Sequence, residues 1–346
     1  MNSSLAAPSF RFEIVENNIP VGKAFAYQKP VIRCDADADV KMSMSGKFFL
    51  NLSDPNWLKM RIRPYLIQEA SEFSLGEYVI TQANKKMDKD GVLFWEMKGT
   101  DLGRIPQRSR TEKRVLFQAG QRYTDIVQSI LLELGISRII AIQSDATLKN
   151  DRADWEIGTS RLEVINSLLK EINYQSLWFD TEGNARIQPH RQVDGTVIDH
   201  RYESGELSQI KPQVDISSDI YKAYNVFTAM VSSPEYEEPM IAVSVNDIPT
   251  SRISTVNIGR VQAPIEKLDD IANQEELQKY VDNLRFQSMC STETISFRTA
   301  LNQHQVRDIV SIHHPQASGI YQETQWKMTL SYDGEMTHTA QRVVIE

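Results

Sequence analysis

Residues 155–169 read Trp155-Glu156-Ile157-Gly158-Thr159-Ser160-Arg161-Leu162-Glu163-Val164-Ile165-Asn166-Ser167-Leu168-Leu169. Residues 173–189 read Asn173-Tyr174-Gln175-Ser176-Leu177-Trp178-Phe179-Asp180-Thr181-Glu182-Gly183-Asn184-Ala185-Arg186-Ile187-Gln188-Pro189. Ser160 stands where an N-cap belongs, with Glu163 three residues on, so the serine oxygen and the glutamate carboxylate can satisfy each other's free backbone amides. Leu162, Ile165, Leu168, Leu169 and Ile172 then recur at steps of three and four, which predicts a helix with one apolar stripe, stopping near Asn173. Leu177–Phe179 and Ala185–Gln188 flank Asp180-Thr181-Glu182-Gly183-Asn184, a turn in which Gly183 can take positive φ. The unit is a helix followed by a hairpin.

This stretch resembles the baseplate and tail hub proteins of tailed phages and phage-derived injection particles, such as the late control protein D-like hubs, the hub-like N-terminal parts of tail-associated lysins, and the hubs of prophages and phage-tail-like bacteriocins. In that family a Trp-x-x-Gly-Thr/Ser signature precedes a helix, an aromatic strand, an Asp-x-x-Gly turn and a strand ending in proline. Here these are Trp155 to Thr159, the helix from Ser160, Leu177–Phe179, Asp180–Gly183 and the strand ending at Pro189.

Outward from that unit the texture is β on both sides. Before it, Cys34–Ser45 alternates strictly, with Ala36, Ala38, Val40, Met42 and Met44 on one face, as a half-buried strand requires. Trp57–Ile67, Gly76–Asn84 and Val92–Lys98 are further strands, the last two joined by the turn Asp88-Lys89-Asp90-Gly91. Short strands without helices predict a closed or nearly closed barrel. Arg104, Arg108, Arg110, Lys113 and Arg114 crowd a boundary loop. A helix on Tyr123, Ile126, Val127, Ile130, Leu131 and Leu134 ends at Gly135, and Ile139–Gln143 is a strand.

After the unit, strands are predicted at Tyr224–Val231, Met240–Val245, Glu293–Arg298, Val306–Ile312, Tyr321–Tyr332 and Glu335–Val344. Asp333-Gly334 turns the last pair, and a helix over Asn273–Ser291 interrupts the set. The predicted class is α+β, mainly β: an N-terminal β-barrel at 1–115, an α+β domain at 116–205, a second barrel at 206–236 and 292–346, and a helix-containing insertion at 237–291. The hub fold that the resemblance implies has the same order. Its late Gly-Asp-x-Val element stands here as Arg307-Asp308-Ile309-Val310, with arginine in place of glycine.

With 346 residues and 41% hydrophobic content, the chain can bury cores for two or three domains. A formal net charge of −8 gives no global attraction for nucleic acid. Two cysteines, Cys34 and Cys290, exclude a disulfide framework. No apolar run approaches the length of a membrane span and no leader pattern opens the chain, so a soluble, non-exported protein is expected.

Catalytic patterns are lacking. Asp35-x-Asp37-x-Asp39 resembles a calcium loop, but Val40 and Gly46 stand where glycine and glutamate are needed, so an acidic strand face is expected. His313 and His314 point to opposite faces of a strand, and His190, His200, His304 and His338 have no partner at ligand spacing, so solvated or capping histidines are expected. Trp155, Trp178, Tyr174 and Phe179 are read as core rather than a sugar-stacking platform. The Arg104–Arg114 cluster is read as a solvated loop. No catalytic, cofactor-binding or metal residue is assigned, and no cofactor.

The resemblance implies a non-enzymatic hub whose three copies form a ring between a hexameric tail tube and a central spike or fibre. It also implies a virion-tail location after assembly in the host cytoplasm. Partners would be the tail tube or distal tail protein, the tape measure protein and the spike or fibre. DNA would pass through the lumen without specific binding, and the chain would insert into no membrane. Strand edges near Val40–Met44 and Tyr224–Val231 are the expected contacts between copies. The alternatives are a peptidoglycan hydrolase or carbohydrate-binding tail protein, against which the chain's end at Glu346 counts, and a barrel that binds single strands.

Overall fold

The computed structural model describes residues 7–69, 71–191, 196–205, 209–219, 223–231, 239–268 and 270–344. Alternating side chains build its first part: β1 (Ser9–Glu16), β2 (Ile19–Asp35), β3 (Met42–Leu50), β4 (Met60–Gln68), β5 (Ser71–Ser74), β6 (Tyr78–Met87) and β7 (Leu93–Thr100). Phe12, Ile14, Ile32, Met42, Met44, Phe48, Ile62 and Tyr78 point inward from these strands and are buried together. Asn17 and Asn18 both take positive φ, 51° and 65°, in the tight β1–β2 turn, a conformation that asparagine tolerates better than most residues. Hydrogen bonding runs β1-β4-β6-β7-β3-β2, and β2 also pairs with β1.

The middle part follows its helical and turn signals. It comprises α1 (Arg104–Arg108), α2 (Tyr123–Glu133), β8 (Ile139–Ala141), α3 (Arg161–Glu171), β9 (Trp178–Phe179) and β10 (Ala185–Ile187). Ser160 Oγ accepts from the Glu163 amide at 3.1 Å, which starts α3, and Asn173 at φ 53° ends it. Leu162, Val164, Ile165, Leu168 and Leu169 are buried against α2 and the short sheet β8-β10-β9, at about 1.5 to 3 kcal/mol per side chain relative to exposure. The expected boundary loop holds the single turn of α1.

The last part contains β11 (His200–Glu203), β12 (Ile210–Ser217), β13 (Val226–Val231), β14 (Met240–Val245), α4 (Thr255–Ile258), β15 (Glu266–Leu268), α5 (Gln274–Ser291), β16 (Thr294–Thr299), β17 (Ile309–His314), β18 (Ala317–Thr329) and β19 (Met336–Arg342). Helix α5, capped by Asn273, packs Leu277 and Val281 on the separate sheet β14-β13-β15. The expected boundaries at 206 and at 236–237 fall on residues outside those described.

Strand β2 joins first part to last. Its N-terminal half pairs with β1, and its C-terminal half, Val31–Asp35, pairs with Gln325–Thr329 of β18. A 13-stranded sheet therefore runs through both parts, and it is not a closed barrel. Within it the strands of the first part return on themselves through the β1–β2 pairing, whereas in the last part β12 is the last strand of the path and β11 reaches the sheet only through β17.

Two further expectations are corrected. Cys34–Ser45 is not one strand: it holds the end of β2, a bend over 36–41 and the start of β3, and the Asp35 carboxylate accepts the Asp37 amide at 3.0 Å where the chain reverses. Neither guessed contact region is a strand edge, since β3 lies between β2 and β7, and β13 between β14 and β15. Among the described residues, no helix is long and apolar enough to cross a membrane.

Candidate functional site

The segment from 300 to 308, between β16 and β17, touches all three parts. Gln303 Nε2 donates to the Ser74 carbonyl at 2.7 Å and to Thr181 Oγ1 at 2.9 Å, and Gln305 Nε2 donates to the same hydroxyl oxygen at 2.6 Å. The Thr181 amide donates to Gln305 Oε1 at 3.0 Å, and its carbonyl accepts from Ser74 Oγ at 2.6 Å and the Gly76 amide at 2.9 Å. The turn quoted at the outset is thus a buried polar knot. Gly183, at φ 79°, lets the chain reverse there beside Arg138.

Charged pairs reinforce the junction. Glu77, with 1% of its side chain exposed, binds Arg61 at 2.8 Å, Arg63 at 2.6 Å and Arg138 at 3.5 Å. Arg152 joins Glu171 and Asp270 at 2.8 and 2.7 Å, and also pairs with Asp154. Arg307 sits at φ 61°, keeping the left-handed backbone that glycine would adopt in the Gly-Asp-x-Val element.

Beside this junction lies a histidine cluster. Glu323 on β18 meets His304 Nδ1 at 2.6 Å with one carboxylate oxygen and His338 Nδ1 at 2.5 Å with the other. The far nitrogens are held too: His304 Nε2 lies 2.7 Å from the Tyr202 hydroxyl, and His338 Nε2 lies 2.7 Å from Thr299 Oγ1. His200 stacks on His304 at 3.8 Å and binds Asp308 at 3.0 Å. His304, His338 and Glu323 are all at most 1% exposed.

Burial works against the Glu323 carboxylate, but His304 and His338 hold its pKa down to about 2. Burial opposes charge on His304 as well, yet Glu323, Asp308 and Asp199 outweigh it and raise its pKa. Burial, with His304 and His200 nearby, lowers that of His338.

The expectation of solvated or capping histidines is therefore wrong for His304 and His338. Their donors stand on three segments, 15 and 19 residues apart, a spacing that carries no local signal. His313 is exposed and His314 buried, on opposite faces of β17 as expected. Trp155, Trp178, Tyr174 and Phe179 are buried. Asp35, Asp37 and Asp39 lie in the β2–β3 bend, where Asp37 Oδ1 meets Arg307 at 2.5 Å. The residues of the basic cluster, Arg104, Arg108, Arg110, Lys113 and Arg114, are all exposed, as expected, and Arg110 and Arg114 donate to the carbonyls of Gly158 and Ala153 in the middle part.

No family model matches the sequence, and no curated protein matches it. The fold is nevertheless that of phage tail proteins. A tail protein from Neisseria meningitidis MC58 superposes with a TM-score of 0.67 at 9% identity, over 96% of this chain and 97% of its own. The 43 kDa tail protein of prophage MuSo2 from Shewanella oneidensis gives 0.66 at 12% identity, over 96% and 98%. The E. coli c3393 protein, a type VI secretion component described as similar to the T4 tail proteins gp27 and gp5, gives 0.54 at 10% identity, over 96% and 77%. At these identities the likeness is one of fold. The first two are described as tail proteins, and what they share with this chain is the fold.

Proposed function

We propose that this protein is the structural hub of a phage tail or tail-like particle. Three copies would form a ring at the baseplate that joins the hexameric tail tube to the central spike or fibre. The observation that carries this reading is the correspondence of fold with tail proteins over nearly the whole chain, 96% of it. Two sheet-forming parts joined by the β2–β18 pairing, around an α+β part, support the same reading. A ring of three such chains would present six sheet units and so mediate between sixfold and threefold neighbours.

In this reading 1–115 and the pair 206–236 and 292–346 are the two sheet units, 116–205 is the α+β unit, and 237–291 is an insertion. The partners are the tube or distal tail protein, the tape measure protein and the spike, and the chain is not an enzyme. Among the described residues, the strands paired on one side only are β5, β11 and β12 in the large sheet and β14 and β15 in the separate one, and these could pair with neighbours. Light scattering of the purified chain, alone and mixed with tail-tube protein, tests the ring. A mass near three times 39.6 kDa in either sample agrees with it, and a monomer in both refutes it.

A further inference from the structure

Two buried carboxylates, Glu323 and Asp308, have no lysine or arginine among their ion-pair partners in the described residues; the imidazoles of His200, His304 and His338 take that place. Counting donors narrows what lies between them. Thr299 Oγ1 is 2.8 Å from the Ala300 carbonyl, which can only accept, so the single hydroxyl proton goes there. Nε2 of His338, 2.7 Å from the same oxygen, is then a donor. With its proton on Nε2, a neutral His338 turns the Nδ1 lone pair toward Glu323 Oε1, 2.5 Å away. Two lone pairs do not approach so closely, so either a second proton on His338 or a metal ion lies between them.

We propose that His304 Nδ1, His338 Nδ1 and Glu323, whose ligand atoms lie within 4.8 Å of one another, hold one divalent transition-metal ion of the zinc class, with Asp308 beside His304 as a neighbouring charge. Imidazole and carboxylate together suit zinc. Each imidazole has its other nitrogen fixed by a hydroxyl, Tyr202 for His304 and Thr299 for His338, the outer support that metal-bound histidines require. A charge of +2 balances Glu323 and Asp308, and binding displaces protons from the ligating nitrogens.

Tetrahedral zinc places its donors about 3.3 Å apart. The Nδ1 atoms now 2.5 and 2.6 Å from the carboxylate oxygens would therefore part by less than about 1 Å. His304 Nδ1 already stands 3.8 Å from Asp308 Oδ2. Around the site, β11 contributes His200 and Tyr202, Asp199 precedes it, and β2 contributes Cys34. Burial and Glu323 raise the pKa of the Cys34 thiol, and its sulfur is not among the donor atoms that lie within 4.8 Å of one another. The ion would tie β18, β19 and the 300–308 segment together, whether or not three chains form a ring.

The test uses the full chain expressed with zinc in the medium, passed briefly over a chelator that strips surface metal, and assayed by elemental mass spectrometry. About one zinc per chain is expected, retained by the exposed control His313→Gln and lost in His338→Gln and Glu323→Gln. Should those variants fail to fold, wild-type chain unfolded with chelator is refolded with and without zinc, and separately with cobalt. A higher Tm with zinc and the visible absorption of four-coordinate cobalt support the site. Wild type that is free of zinc by both routes with an unchanged Tm, or variants that keep the metal, would overturn it and leave a proton-sharing network only.

Discussion

Arg307 places its guanidinium 2.5 Å from the carboxylate of Asp37, which lies 270 residues earlier in the chain. The pair clips the β2–β3 bend to the 300–308 segment, and Arg307 holds left-handed backbone to do so. Left-handed φ costs a non-glycine residue about 1 kcal/mol, and a partly exposed ion pair returns at most about that much. Arg307→Ala keeps the strain and loses the pair, so it should destabilise by about 0.5 to 1 kcal/mol. Arg307→Gly relieves the strain and should fall within about 0.5 kcal/mol of wild type. Urea denaturation of the three proteins checks the order; an alanine variant as stable as the glycine one would remove the role given to the backbone.

How much of this the sequence displays depends on the range of the interaction. The Ser160–Glu163 cap, the Gly183 turn and the Asp333-Gly334 hairpin are local, and each stands where its residues place it. The Cys34–Ser45 alternation misleads because a period of two is equally compatible with a bend once an aspartate caps its own turn. The pairing of Val31–Asp35 with Gln325–Thr329 joins segments nearly the whole chain apart, and alternation in each names no partner. Arginine in the Gly-Asp-x-Val element is a visible departure; it keeps the left-handed backbone at a cost, and the distant Asp37 that offsets this cost carries no local signal.

Thr181 is the point through which the three parts exchange hydrogen bonds. Thr181→Val keeps its volume but removes the oxygen that accepts from Gln303 and Gln305. Leaving Gln305 Nε2 without this acceptor should cost about 2 kcal/mol. Thr181→Ser, which keeps the oxygen, should stay within about 1 kcal/mol of wild type. Thermal melts of the two variants read the difference, and equal losses would show that the methyl group, not the hydroxyl, matters.

Glu77 is nearly inaccessible while Arg61 and Arg138 are about a third exposed. Water therefore screens two of its three partners, and the loss on Glu77→Gln should be about 2 to 3 kcal/mol, below the full cost of breaking a wholly buried pair. Because Arg63 is only 13% exposed, most of that loss should persist in high salt. A stability difference that vanishes in about 1 M sodium chloride would mean that the cluster acts as a surface network.

Asp101 supplies a pH dependence whose sign is fixed by its burial. Its carboxylate accepts the Met42 and Gly103 amides at 2.6 and 2.8 Å, yet burial outweighs these bonds and raises its pKa to about 6 from the ordinary 3.8. The folded chain thus holds a proton between these values that the unfolded chain has lost. The contribution of Asp101 to stability is largest below about pH 4, falls as pH rises through 6, and levels off above, a change of about 3 kcal/mol. Asp101→Asn lacks the titration but also misdirects one amide, so it should be less stable than wild type at pH 4. The gap should narrow by about 3 kcal/mol, or reverse, by pH 7. Denaturation of both proteins at half-unit intervals of pH checks this, and a constant gap would place the Asp101 pKa in its ordinary range.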